Sequence, residues 1–249
     1  MSGIAPYVLV LWALQVIAQL VVCGFLFYRG HFRKLPLFTT YVTLDVIQAA
    51  FLFFLYNHFG FQSPAARVFA WLSMIVVLLA EIFATVELLH HVLSPYRGVW
   101  ILARRLFWIA SIGIILFTGF EARVDLSRAN LYADRGFHLA FALSLLTFLL
   151  LGRHYFIPFH PVYRALLAGL CFRSCILVFN DTLSLSGFFH QSVHSVNTWN
   201  ATRLLSAIAI QIVWTYFLRK SISAYVYTER FTERPRTSSP RYKDFRIQL

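Results

Sequence analysis

Residues 163–185 read YRALLAGLCFRSCILVFNDTLSL, an apolar run with Arg173 near its middle and Asn180 and Asp181 two turns later. A run of this length matches the ~20 residues that carry a helix across a bilayer. An arginine at mid-depth costs roughly 2.5–3.5 kcal/mol on insertion scales, so other helices must supply partners for it. The rest of the chain is therefore read for those partners.

Of 249 residues, 59% are hydrophobic and 13% charged, too apolar a mixture to be hidden in a soluble core. The fold expected is all-α: a polytopic membrane bundle of seven transmembrane helices. The formal net charge of +12 does not point to nucleic acid, because the basic residues flank apolar runs instead of forming a patch interleaved with exposed aromatics. Cys23, Cys171 and Cys175 all lie inside apolar runs and read as small packing residues, with no disulfide framework.

The first helix is expected at 6–28, too long for a signal-peptide core, with Gln15 and Gln19 on one face. Pro36 suits a helix start, and 37–57 reads as helix two with Tyr41, Asp45 and Gln48 on one stripe. Helix three, 67–93, carries Glu81 near its centre, and Glu87, His90 and His91 near its end. Residues 94–98 break the chain before helix four at 102–120. The charges of 121–135 alternate in sign and suggest a solvated loop before helix five at 136–152. Helix six is the opening stretch. A polar loop at 186–200 leads to helix seven at 201–216, with an amphipathic extension to 227. Two units follow: a seven-helix domain over 1–227, and a basic tail over 228–249 whose composition predicts disorder.

Sixteen of the 22 Lys and Arg residues fall on the connections after helices one, three and five or in the C-terminal region. By the positive-inside rule the N-terminus is outside and the C-terminus cytoplasmic. Near mid-depth lie Gln15, Gln19, Asp45, Gln48, Glu81, Arg173 and Gln211, none of which lipid can solvate. They are expected to face one another, with Asp45 or Glu81 reaching the guanidinium. Asp181, eight residues beyond Arg173, lies about 12 Å further out at ~1.5 Å per residue. The candidate site is thus Asp45, Gln48, Glu81, Arg173, Asp181 and Gln211. One arginine facing two acids leaves a negative charge for a proton or a cation to cancel, in a pocket among helices two, three, six and seven. The competing reading is an ion pair that fixes helix register and binds nothing.

Glu87-x-x-His90 has the spacing of di-iron bundles but occurs once, near a membrane edge, and reads as interfacial hydrogen bonding. His190 and His194 have zinc-ligand spacing, but they sit in the outer loop, where His58 or Asp181 would have to complete the site, and the competing reading is a plain polar loop. A retinal pigment is excluded because Lys34, Lys220 and Lys243 all lie away from mid-membrane. The tryptophans, Trp100, Trp108, Trp199 and Trp214 among them, suit interface belts and lipid-facing packing. No phosphate loop or nucleophile elbow is present.

Pro36-Leu37-Phe38-Thr39-Thr40-Tyr41, with Glu87 and Ser94-Pro95-Tyr96, resembles a pattern in uncharacterised bacterial seven-helix integral membrane proteins. The resemblance covers roughly the first hundred residues and implies a bacterial inner-membrane location, but carries over no activity or site. The function expected is a sensor- or receptor-like module rather than an enzyme, without cofactor or bound metal, working with a partner protein or a second copy of itself. Its surroundings are the lipid bilayer, with anionic lipid at the basic tail. The alternatives are a small transporter with Asp45, Glu81 and Arg173 as its relay, and a membrane-embedded metal hydrolase.

Overall fold

Backbone groups in lipid must find partners within their own segment, so long apolar runs fold as helices. The structure, a computed structural model, describes residues 6–59, 63–94, 96–121, 126–154, 160–185 and 193–219. Among these, seven α-helices run in chain order: α1 (Pro6–Tyr28), α2 (Pro36–Phe59), α3 (Pro64–Leu93), α4 (Arg97–Glu121), α5 (Leu126–His154), α6 (Pro161–Leu185) and α7 (Val193–Leu218). A single 3-10 turn, His31–Arg33, joins α1 to α2.

Proline occupies the first position of α2, α3 and α6, where its missing N–H costs nothing and its fixed φ suits the helix. Gly30 stops α1 at φ 67, a left-handed conformation that other residues rarely adopt, and its N–H returns to the Phe27 carbonyl at 3.0 Å. Hydroxyls inside the helices bond back to the carbonyl four residues earlier, as Thr39 does to Leu35 and Thr215 to Gln211, both at 2.8 Å.

Each helix packs on its chain neighbours, α7 closes onto α1, and α3 touches α6 across the middle. The result is a ring of seven helices. Six of them, all but α4, contain spans long and apolar enough to cross a membrane among the described residues, and each such span buries only 17–39% of its most apolar window. The outward surface carries Leu14, Ile17, Phe83, Ile109, Leu116 and Ile212. An apolar exterior around a partly polar interior is the arrangement that a bilayer stabilises and water does not.

The main apolar core fills one half of the bundle: Val22 and Leu26 of α1, Phe38 and Tyr41 of α2, Leu88 of α3, Leu166 and Leu170 of α6, Trp214 and Leu218 of α7. His31 seals this end by donating Nε2–H to the Leu218 carbonyl at 2.9 Å, which closes the last turn of α7. Trp214 therefore belongs to the core and not to a lipid-facing belt. Its indole meets Phe38 edge-on at 5.3 Å between centroids and lies against Gly169 of α6. Trp108, largely exposed, fits the lipid-facing expectation.

Three boundaries differ from the sequence reading. α4 begins at Arg97 instead of at 102. The stretch expected as a loop to 135 is helical from Leu126, because its charges sit among good helix formers and extend α5 beyond the apolar span. The polar loop after α6 gives way to helix at Val193. The C-terminal extension and the 228–249 tail lie outside the described residues.

Candidate functional site

Arg173 lies midway along α6 and points across the ring to α2. Its terminal nitrogens donate as a fork to Asp45, Nη1 to Oδ2 at 3.1 Å and Nη2 to Oδ1 at 3.2 Å. A planar guanidinium meeting a carboxylate end-on is the strongest pairing either group can make. Gln19 of α1 donates Nε2–H to the same Asp45 Oδ2. Three helices are thereby joined at one carboxylate. The face of Tyr41, one turn before Asp45, lies 5.7 Å from the guanidinium carbon, and its hydroxyl is buried without a partner.

Glu81 of α3 completes the centre. It is 3% exposed, lies within electrostatic reach of Tyr41, Arg173 and His138, and has no hydrogen-bonding partner among the described residues. A second acid is therefore held in a low-dielectric interior whose arginine is already paired.

A second polar layer lies farther towards the ends of α6 and α7 opposite the apolar core. Asp134 and His138, one turn apart on α5, pair at 3.4 Å, and the Asp134 carboxyl lies within electrostatic reach of that of Asp181 on α6. Asn180 donates to Asp181 at 3.0 Å and accepts the Trp199 indole N–H of α7 at 2.6 Å. Arg203 of α7 lies within electrostatic reach of Arg173, Asp181 and Asp134.

Of the residues expected at the site, Asp45, Glu81 and Arg173 come together. Asp181 belongs to the second layer. Gln48 stands apart, donating to Ser73 of α3 at 3.2 Å and so fastening α2 to α3. Gln211 is buried with its side-chain oxygen unpartnered and makes no hydrogen bond to Arg173 or Asp45 among the described residues. Gln19, noticed as facing other helices, is a direct ligand of Asp45. His138 and Asp134 were missed, although their spacing of four is the signal for one helix face.

Beside Arg173, space opens among α1, α6 and α7. A cavity of about 90 Å³ is lined by Gln15, Arg173, Arg203, Ser206 and apolar side chains of α6 and α7. About a fifth of the Arg173 side chain stays accessible, at 22%.

The histidine motifs resolve otherwise. Glu87 caps the start of α2 through the amides of Leu37 and Phe38, while His90 packs edge-on against Trp100 at 5.2 Å. His58 stacks on Phe54. His190 lies outside the described residues, and no cluster of three metal-ligating side chains occurs among those described.

Comparison with protein-family models, with curated proteins and with solved structures returns no match for this chain.

Proposed function

We propose that the chain is a seven-span sensor of the bacterial inner membrane, N-terminus outside and C-terminus cytoplasmic. Its paired Arg173–Asp45 centre, with Glu81 beside it, responds to a proton or small ligand and passes that state to a partner protein. The observation that carries this reading is Glu81, a buried acid without a hydrogen bond among the described residues, next to an arginine that Asp45 already neutralises. A charge held there is sensitive to any change among its neighbours, and such a change couples chemistry at the centre to helix packing.

The seventh span is α4, whose apolar stretch 106–120 follows Arg104 and Arg105. These two basic residues suit the cytoplasmic headgroup level, which supports both the span and the orientation. The basic tail in this orientation lies against anionic lipid. Sensing is favoured over transport because Phe38, Leu88, Leu166, Leu170 and Trp214 fill the half of the bundle on the cytoplasmic side of the centre. A relay would have to cross that packed layer. The reading involves no catalytic step.

The test is hydrogen exchange on the protein in nanodiscs, at neutral and acidic pH. Exchange at the cytoplasmic ends of α3 and α7 is expected to change with pH, and Glu81→Gln is expected to abolish the change. Identical exchange at both pH values would sink the sensor reading. Proton flux into proteoliposomes that Glu81→Gln abolishes would replace it with transport.

A further inference from the structure

We infer that the cavity between α1, α6 and α7 is a binding site for a small planar oxyanion, a carboxylate of a few heavy atoms, seated between Arg173 and Arg203. This deepens the sensor reading by naming the ligand class, and rests on it only for the consequence of binding.

Three observations support it. The first is the unused edge of Arg173. A guanidinium offers two bidentate faces, and Asp45 occupies the end formed by Nη1 and Nη2. The side-on face includes Nε, which is buried and has no hydrogen-bond partner. Leaving a charged donor in that state is costly, and a carboxylate matches the vacant fork.

The second is the charge of the walls. Arg173 and Arg203 line the same cavity and lie close enough to repel one another. Asp45 offsets Arg173, while Asp134 and Asp181, which lie within electrostatic reach of Arg203, also engage His138 and Asn180. An anion between the two arginines lowers that repulsion.

The third is size and access. At about 90 Å³ the cavity is roomy enough for a small anion such as formate or acetate. Gln15 supplies an amide that can donate to the anion. Arg203 is ten residues into α7 and Arg173 twelve residues before the end of α6, so both lie about 15–18 Å from the same face at ~1.5 Å per residue. The apolar core lies beyond them, so the ligand enters and leaves from one side.

The experiment is a titration of the full chain in nanodiscs with sodium acetate or formate at pH 7 and constant ionic strength, read by Trp fluorescence and by thermal midpoint. Saturable responses to both anions, absent with chloride, are expected. Arg203→Gln should weaken apparent affinity at least tenfold. Arg173→Lys should do the same, because an ammonium keeps the charge and loses the side-on fork. Since Arg173→Lys also disturbs the Asp45 pair, Ala207→Phe serves as the independent variant: it fills the cavity while leaving both guanidinium groups in the chain and should abolish the response. No saturable response in the unmodified chain, an equal response to chloride, or undiminished binding by Ala207→Phe would each overturn the inference. The sensor reading fails separately, through pH-independent exchange, so the two failures are distinguishable.

Discussion

The Glu87 carboxylate holds the first turn of α2, accepting the Phe38 N–H at 2.8 Å and the Leu37 N–H at 3.2 Å. Helix N-termini expose amides that lack partners within the helix, and a carboxylate there meets both the free donors and the positive end of the helix dipole. A residue near the end of α3 thus fixes where α2 begins. It also explains why the Pro36–Tyr41 segment and Glu87, far apart in sequence, act as one structural unit.

Glu87→Ala is expected to lower stability by about 1–2 kcal/mol, the range for losing a charge-assisted cap. Glu87→Gln, which keeps one acceptor and loses the charge, should lose less. Denaturant unfolding in mixed micelles measures both. An alanine variant as stable as the parent would show that the cap contributes nothing.

Asp45→Asn leaves the Arg173 guanidinium without its counter-charge and is expected to cost about 3–5 kcal/mol, the range for breaking a buried pair from one side. Removing both charges, as Asp45→Leu with Arg173→Leu, should recover most of that loss, because no uncompensated ion remains. A double-mutant cycle reads the coupling directly. Additive losses across the cycle would mean that the two residues do not interact in the membrane.

The sequence made the centre legible because lipid imposes a severe rule: a charge at mid-depth needs a partner, and Asp45 on helix two was among very few candidates for Arg173. Helix identity followed from apolar run length in the same way. What escaped was the second layer. Asp134 sits in a stretch of alternating charge that resembles a solvated loop, and only the packing of α5 on α6 turns it inward to Asp181. Gln48 escaped for the opposite reason. It shares the stripe of Asp45, yet one turn along the helix the neighbour facing it is Ser73 of α3 instead of Arg173.

Gly169 gives a different kind of test. A Cβ placed there would overlap the Trp214 indole, so the absence of a side chain is what lets α6 and α7 approach. Gly169→Ala is expected to destabilise by about 1–3 kcal/mol, typical of overpacking in a filled core. Adding Trp214→Phe, which removes the atoms in the way, should make the double variant more stable than the sum of the two single losses. Strict additivity would place the strain elsewhere.

His160, just before α6 at the end of the bundle that His31 seals, gives a pH-dependent contribution. Partial burial, reinforced by the charge of Lys34, holds its imidazole below the ordinary value of 6.5. Its Nδ1 accepts the Val162 N–H at 3.3 Å, and its ring meets Tyr163 edge-on at 5.8 Å, an arrangement that needs Nδ1 unprotonated. The unfolded chain therefore takes up this proton first as pH falls. The contribution of His160 to stability is complete above about pH 6.5 and declines as pH drops from there through the lower folded value. His160→Gln is expected to flatten the change in unfolding midpoint between pH 7.5 and pH 5.5. Lys34→Gln should narrow it, because the charge that helps depress the imidazole is gone. The effect is modest and salt-sensitive, since His160 is only partly buried. A midpoint shift of the same size in the parent and in His160→Gln would assign the pH dependence to other groups.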